Sequence, residues 1–193
     1  MKKSLSILAL AASSLLAASA VQAQPEITRA VAAGSLEEPP NDSQAYSIAM
    51  FELEGNTWRA LVPFRFLSTP TVAAHIHCCT EEAFRGVAPV AVPFSDFPLG
   101  VTSGDYSNAF DITDEMTYEP DFLENNGGTA SGAGQALVQG IANNQAYLNI
   151  HTEQYPQGEI RGWLVAAPIP EPATWAMLGL GLAGLGLMAR RRV

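Results

Sequence analysis

The sequence predicts an all-β fold, a single antiparallel β-sandwich with two short helices, and three observations carry that expectation. Apolar residues recur at every second position over several short runs, the spacing that gives a strand one buried face and one polar face. About seven such runs are separated by Gly, Pro, Asn, Asp and Ser, the punctuation of an antiparallel architecture. Near the end, two alternating runs flank Tyr155-Pro156-Gln157-Gly158, a hairpin signal. A closed barrel shares this periodicity and stands as the alternative.

Taken in order, Tyr46 to Glu54 reads as a strand, and Gly55-Asn56 turns the chain into the next. There Trp58, Ala60, Val62, Phe64 and Phe66 alternate with Thr57, Arg59, Leu61, Pro63 and Arg65. Pro63 lacks a donor, which predicts an edge position or a bulge. Val72 to Cys78, Val87 to Val92 and Ser107 to Thr113 are further short strands. Glu119 to Asn125, stopped by Gly127-Gly128, and Ala133 to Asn143 read as helices. In the closing hairpin, aligning Thr152 with Gly158 sets His151 opposite Glu159, Asn149 opposite Arg161 and Tyr147 opposite Trp163. Those six then share one face, while Leu148, Ile150, Ile160 and Leu164 share the other, which must be the core.

Both ends read as addresses rather than fold. Lys2-Lys3, the apolar run Ile7 to Ala18 and Val21-Gln22-Ala23 form a secretory signal peptide over 1–23. At the other end, Ala173 to Ala189 carries no charge and is followed by Arg190-Arg191-Arg192. Seventeen residues at ~1.5 Å each reach about 26 Å, slightly short of a ~30 Å hydrocarbon core. The terminal arginines favour the cytoplasmic side, with the rest of the chain exported. The domain between, 24–167, holds eighteen carboxylates against five arginines and no lysine, a net charge of −13. So acidic a surface repels phosphate backbones and excludes nucleic acid as a partner. A single domain of this length also excludes separate cofactor and substrate lobes.

Two resemblances follow from particular residues. Pro170-Glu171-Pro172, the glycine-rich apolar stretch 173–189 and the cluster Arg190-Arg191-Arg192 together resemble a PEP-CTERM sorting signal, making 168–193 a sorting and anchor segment. That resemblance implies an exosortase-type membrane processing enzyme as partner. It also implies transient inner-membrane anchoring, removal of the helix, and display at the surface or in the extracellular matrix. A permanent C-terminal anchor is the rival. Ala146-Tyr147-Leu148-Asn149-Ile150-His151-Thr152 and Gly158-Glu159-Ile160-Arg161-Gly162, with Glu37-Glu38-Pro39-Pro40 and Ala74-His75-Ile76-His77, resemble a CHRD (chordin-type) domain over roughly 27–165. The resemblance implies an immunoglobulin-like sandwich and, for bacterial members, no established reaction. After the His-x-His, small residues and glycine are usual in the family; this chain has Cys78-Cys79-Thr80-Glu81-Glu82, so a role particular to that loop does not transfer.

Few residues carry chemistry. There is no phosphate loop, serine elbow or four-ligand zinc motif. Cys78-Cys79 holds the chain's two cysteines; in an oxidising compartment a vicinal disulfide is the favoured state, beside free thiols, soft metal ligands or an intermolecular bridge. Asp105, Asp111, Asp114 and Glu115 crowd one stretch, but their spacing fits no EF-hand. The three histidines are more telling. His75 and His77 alternate on one strand and therefore share a face. His151 sits on the polar face of another strand, opposite Glu159. If the two strands are neighbours, His75, His77, His151 and Glu159 form a sufficient ligand shell for copper or zinc, with Glu159 as ligand or as the group orienting His151. The alternative is a polar sheet surface whose histidines hydrogen-bond Asn149, Glu159 or backbone. The functional expectation is an exported, non-catalytic surface or matrix module that binds polysaccharide, protein or metal. The rival is a copper- or zinc-dependent redox protein using the three-histidine site, by fold-level analogy to superoxide dismutase.

Overall fold

The computed structural model describes residues 26–167 and 179–182. The signal peptide, the sorting residues Pro170, Glu171, Pro172 and Arg190 to Arg192, and most of 173–189 lie outside them. The described four of that stretch, 179–182, are helical. Among the described residues no helix is long and apolar enough to cross a membrane.

The fold is all-β and sandwich-like, built as one antiparallel sheet that curls over its own core. Among the described residues nine strands form it: β1 (Glu26–Ala33), β2 (Tyr46–Glu54), β3 (Thr57–Arg65), β4 (Thr71–His77), β5 (Val90–Pro93), β6 (Gly104–Asp111), β7 (Tyr147–Thr152), β8 (Ile160–Trp163) and β9 (Val165–Ala166). Their order is β5-β4-β7-β8-β1-β2-β3-β6, with β9 on β1. The two ends of that path, β5 and β6, are not hydrogen-bonded to each other, so the barrel alternative does not hold. The chain after β5 folds in between the halves: Phe94 packs on Tyr106 of β6 and Phe51 of β2, and Phe97 on Phe64 of β3.

Periodicity explains most strands and fails at identifiable places. In β3 the inward set Trp58, Ala60, Val62 and Phe64 is buried while Arg59 and Leu61 are exposed, as alternation requires. The edge expectation for Pro63 is corrected: β3 lies between β2 and β6. Proline sits there at a gap in the β2–β3 ladder, which lacks rungs between Ser47–Phe64 and Met50–Leu61, while Pro63 stays paired with Asp105 of β6. Strand β1 gave no strong sequence signal because its buried residues, Thr28, Ala30 and Ala32, are small.

The helices α1 (Pro120–Asn125) and α2 (Ala130–Ala142) stand between β6 and β7, as expected. Thr129 caps α2 by accepting from the Gly132 N–H. The helix sets Ala133, Leu137 and Ile141 into the core. Its Gly140 lies directly against both sulfurs of a Cys78–Cys79 disulfide, where a side chain would collide. The state favoured for that pair is thus the one formed.

The closing hairpin has the expected register, Tyr147–Trp163, Asn149–Arg161 and Ile150–Ile160. Leu148, Ile150, Ile160 and Leu164 are fully buried in the core, each worth roughly 1.5–3 kcal/mol over an exposed position. The polar face of β7 is buried too. That departs from the expected solvent-facing surface, because the segment around Glu37 and the loop 80–89 fold over it, tied down by Arg161.

Candidate metal centre

Strand β4 lies antiparallel beside β7, pairing Ala73 with His151, His75 with Asn149 and His77 with Tyr147. Alternation points His75 and His77 to the same side, and pairing puts His151 diagonally next to His75 on that side. Ala73, opposite His151, leaves room for the rings to meet. The His75 and His151 ring centroids are 5.0 Å apart, those of His75 and His77 5.6 Å, and those of His77 and His151 5.9 Å. One ring nitrogen from each histidine falls within 4.8 Å of the others.

The backbone fixes which nitrogens are available. His77 Nδ1–H donates to the Ala88 carbonyl at 2.8 Å, and His151 Nδ1–H to the Pro156 carbonyl at 3.1 Å. Each bond leaves Nε2 as the lone-pair atom, the outer-shell arrangement common to metal-binding histidines. His77 Nε2 is buried and has no hydrogen-bond partner, an orphaned acceptor of the kind native interiors avoid. His75 Nδ1–H donates to His151 Nε2 at 3.2 Å. Two nitrogens bound to one ion at 2.0–2.1 Å with a tetrahedral angle stand about 3.3 Å apart, so this pair already has ligand spacing. Moving the His75 proton to its Nε2 frees Nδ1 without changing the charge. The residues present therefore fit a copper or zinc ion.

Electrostatics keep the donors neutral. Burial pushes His75 down to about 4, helped by His151, and His77 down to about 4 against the pull of its Ala88 bond. Burial also lowers His151. Tyr147 stacks parallel on His77 at 4.8 Å, and Arg161 places its guanidinium carbon 4.2 Å from the Tyr147 centroid. Arg161 pairs with Glu37 at 3.2 Å, both side chains almost wholly buried. Burial lifts the Glu37 carboxyl to about 7 although Arg161 and Asn149 draw it down.

A pH dependence follows for the metal-free protein. Between pH 6.5 and about 4 the unfolded chain protonates His75 and His77, which the fold holds neutral, and His151 is shifted in the same direction. Stability from these groups is therefore full above 6.5 and lost as pH falls through 4. Glu37 acts oppositely: its raised value favours the fold at low pH, and that contribution is lost as pH rises through 7. The two protons of His75 and His77 outweigh one. Chelator-treated protein should unfold at lower urea at pH 4.5 than at pH 7; equal midpoints would contradict the burial of neutral rings.

The structure places Glu159 elsewhere. Regular pairing in the hairpin ends at Ile150–Ile160, so alternation no longer directs the next residue. The Glu159 carboxylate accepts from the Ser43 and Thr152 hydroxyls and the Ser68 N–H. It is absent from the group the histidines form, and His151 is oriented by Pro156 instead. The acidic stretch also disperses: Asp105 pairs with Arg65, Asp111 accepts from Thr113, and Asp114 caps the turn at Met116. Sequence reasoning missed Ala88, Pro156 and Glu37 as partners. Two of these act through backbone carbonyls, which carry no residue-type signal.

Comparison with known families now bears on this hairpin. The family model of the CHRD domain matches residues 28–164. The chain belongs to the CHRD domain family. That match runs from within β1 to Leu164, so every strand that positions the histidines is part of the family's domain. A second model, the PEP-CTERM protein-sorting motif, matches 168–192. No curated protein and no solved structure matches the chain. A CHRD domain followed by this motif is an exosortase-sorted protein, exported through a membrane-anchored intermediate to the extracellular side or cell surface. In the CHRD signature the structure gives three residues a physical task. Gly158 (φ +127°) leaves space for Asn149 and Glu37, Ile160 fills the core, and Arg161 neutralises Glu37.

Proposed function

We propose that the displayed domain works by binding rather than by turnover, and that it binds a copper or zinc ion through His75, His77 and His151. One observation carries this reading: His77, whose Nε2 is buried and partnerless, and the two further imidazoles bring one ring nitrogen each within 4.8 Å of one another. Most buried polar atoms of native interiors have a partner, and this one has none. When bound, such an ion supplies Lewis acidity or an electron-transfer centre; the chain's part is to hold neutral donors in place, with Ala88 and Pro156 setting their tautomers. Exopolysaccharide or another matrix component stands as a further partner only through the extracellular destination.

The test is a titration of copper and of zinc into the purified chain in detergent, repeated with His77→Ala and His151→Ala. Wild type should take up one ion per chain, and each variant should bind at least about 100-fold more weakly, since even losing an outer-shell partner costs 10–100-fold. Wild type binding no better than the variants would remove the site. Superoxide turnover by the metal-loaded protein would overturn the non-catalytic part and favour the redox enzyme.

A further inference from the structure

The donor set and the charge beside it discriminate among metal ions. Every donor offered here is a neutral imidazole nitrogen: among the described residues no cysteine or carboxylate joins the three histidines. The two buried carboxylates nearest in sequence pattern are engaged, Glu37 with Arg161 and Glu159 with Ser43, Ser68 and Thr152. A neutral shell leaves the whole charge of a bound ion uncompensated. The buried charges beside the site, Arg161 over Tyr147 and Glu37 paired with it, offset each other and leave no negative charge to compensate a bound cation. The cost of burying an ion rises with the square of its charge, so a dication suffers about four times the penalty of a monocation. Coordination number points the same way. Zinc completes a tetrahedron and copper(II) a tetragonal array, both with a fourth donor. Copper(I) is satisfied by two or three nitrogens, whereas the described residues offer the dications no fourth donor.

Resting on the reading that this cluster holds a d-block ion, we infer that the site selects copper in its monovalent state and holds it there. The ligand class is a soft, singly charged d10 cation, copper(I) before zinc(II) or copper(II). Such a site suits sequestration of cuprous ion outside the cell better than cycling between oxidation states.

The experiment uses the full chain in detergent under nitrogen. Copper(I) is added as its acetonitrile complex, so that no reductant meets the Cys78–Cys79 disulfide, in competition with a chromophoric cuprous chelator. Copper(II) and zinc(II) are titrated separately. Expected are one copper(I) per chain, bound about 100-fold or more tightly than either dication, and no copper(II) electron-paramagnetic signal after exposure to air. Binding of either dication within tenfold of copper(I), or a cupric signal growing in air, would overturn the selectivity while leaving the three-histidine site standing. Failure of all three ions to bind, or copper(I) binding unchanged in His77→Ala, would overturn the site itself.

Discussion

Arg161→Ala is expected to lower the stability of the domain by about 3–5 kcal/mol, the usual loss when one member of a buried ion pair is removed. Both side chains of the Arg161–Glu37 pair are nearly inaccessible, so the carboxylate left behind would be buried with no countercharge, only the Asn149 amide donating to it. It already has one orphan oxygen, Oε1. Arg161 also donates to the Gly86 carbonyl at 2.8 Å and so ties down the loop that carries Ala88, the group fixing His77. The same substitution should therefore loosen the metal donors. Urea denaturation of Arg161→Ala and of the double variant Arg161→Met/Glu37→Leu separates the causes. Replacing both charges by apolar groups should recover most of the loss. A single variant within about 0.5 kcal/mol of wild type, the range of ordinary surface substitutions, would show that the pair carries no weight.

Gly162→Ala is expected to destabilise by about 3 kcal/mol, the upper range for overpacking. A Cβ at this position would stand 2.8 Å from Ala32 N and from Val31 C and O. All three are backbone atoms of β1 and cannot rotate away. The place is sensitive, because β8 and β1 meet at the middle of the sheet, joining β5-β4-β7-β8 to β1-β2-β3-β6. Their paired register is a single rung, Ala33–Arg161. Pushing β1 outward strains the seam on which the curl depends. Denaturation at one temperature measures the loss, and a variant as stable as wild type would refute the close approach. Together the two positions make the Arg-Gly of the CHRD signature a structural keystone, one residue neutralising a buried charge and the other admitting a neighbouring backbone.

Legibility in the sequence tracked the range of the interaction. The hairpin register could be read because alternation and a turn are local, and it extends as far as Ile160. Beyond that rung Glu159 escaped the pattern and turned to Ser43 and Ser68, residues distant in sequence. Pro63 misled for the opposite reason. A missing donor argues for an edge, yet an unpaired stretch of ladder inside the sheet serves equally well. Strand β1 was silent because alanines bury without announcing themselves.

By itself the sequence determined the all-β class, the two addresses, the family hairpin and the sharing of one strand face by His75 and His77. These follow from period two, from charge placement and from motifs, all properties of neighbouring residues. Tertiary structure alone decided that β4 lies beside β7, so that His151 meets the other two. It also buried the polar face under the segment around Glu37 and the loop 80–89, withdrew Glu159, and left His77 Nε2 without a partner. The physical reason is that burial and desolvation are sums over non-local contacts. Whether an imidazole is a solvated surface group or a neutral donor depends on what folds over it, and nothing within a few residues of a histidine records that.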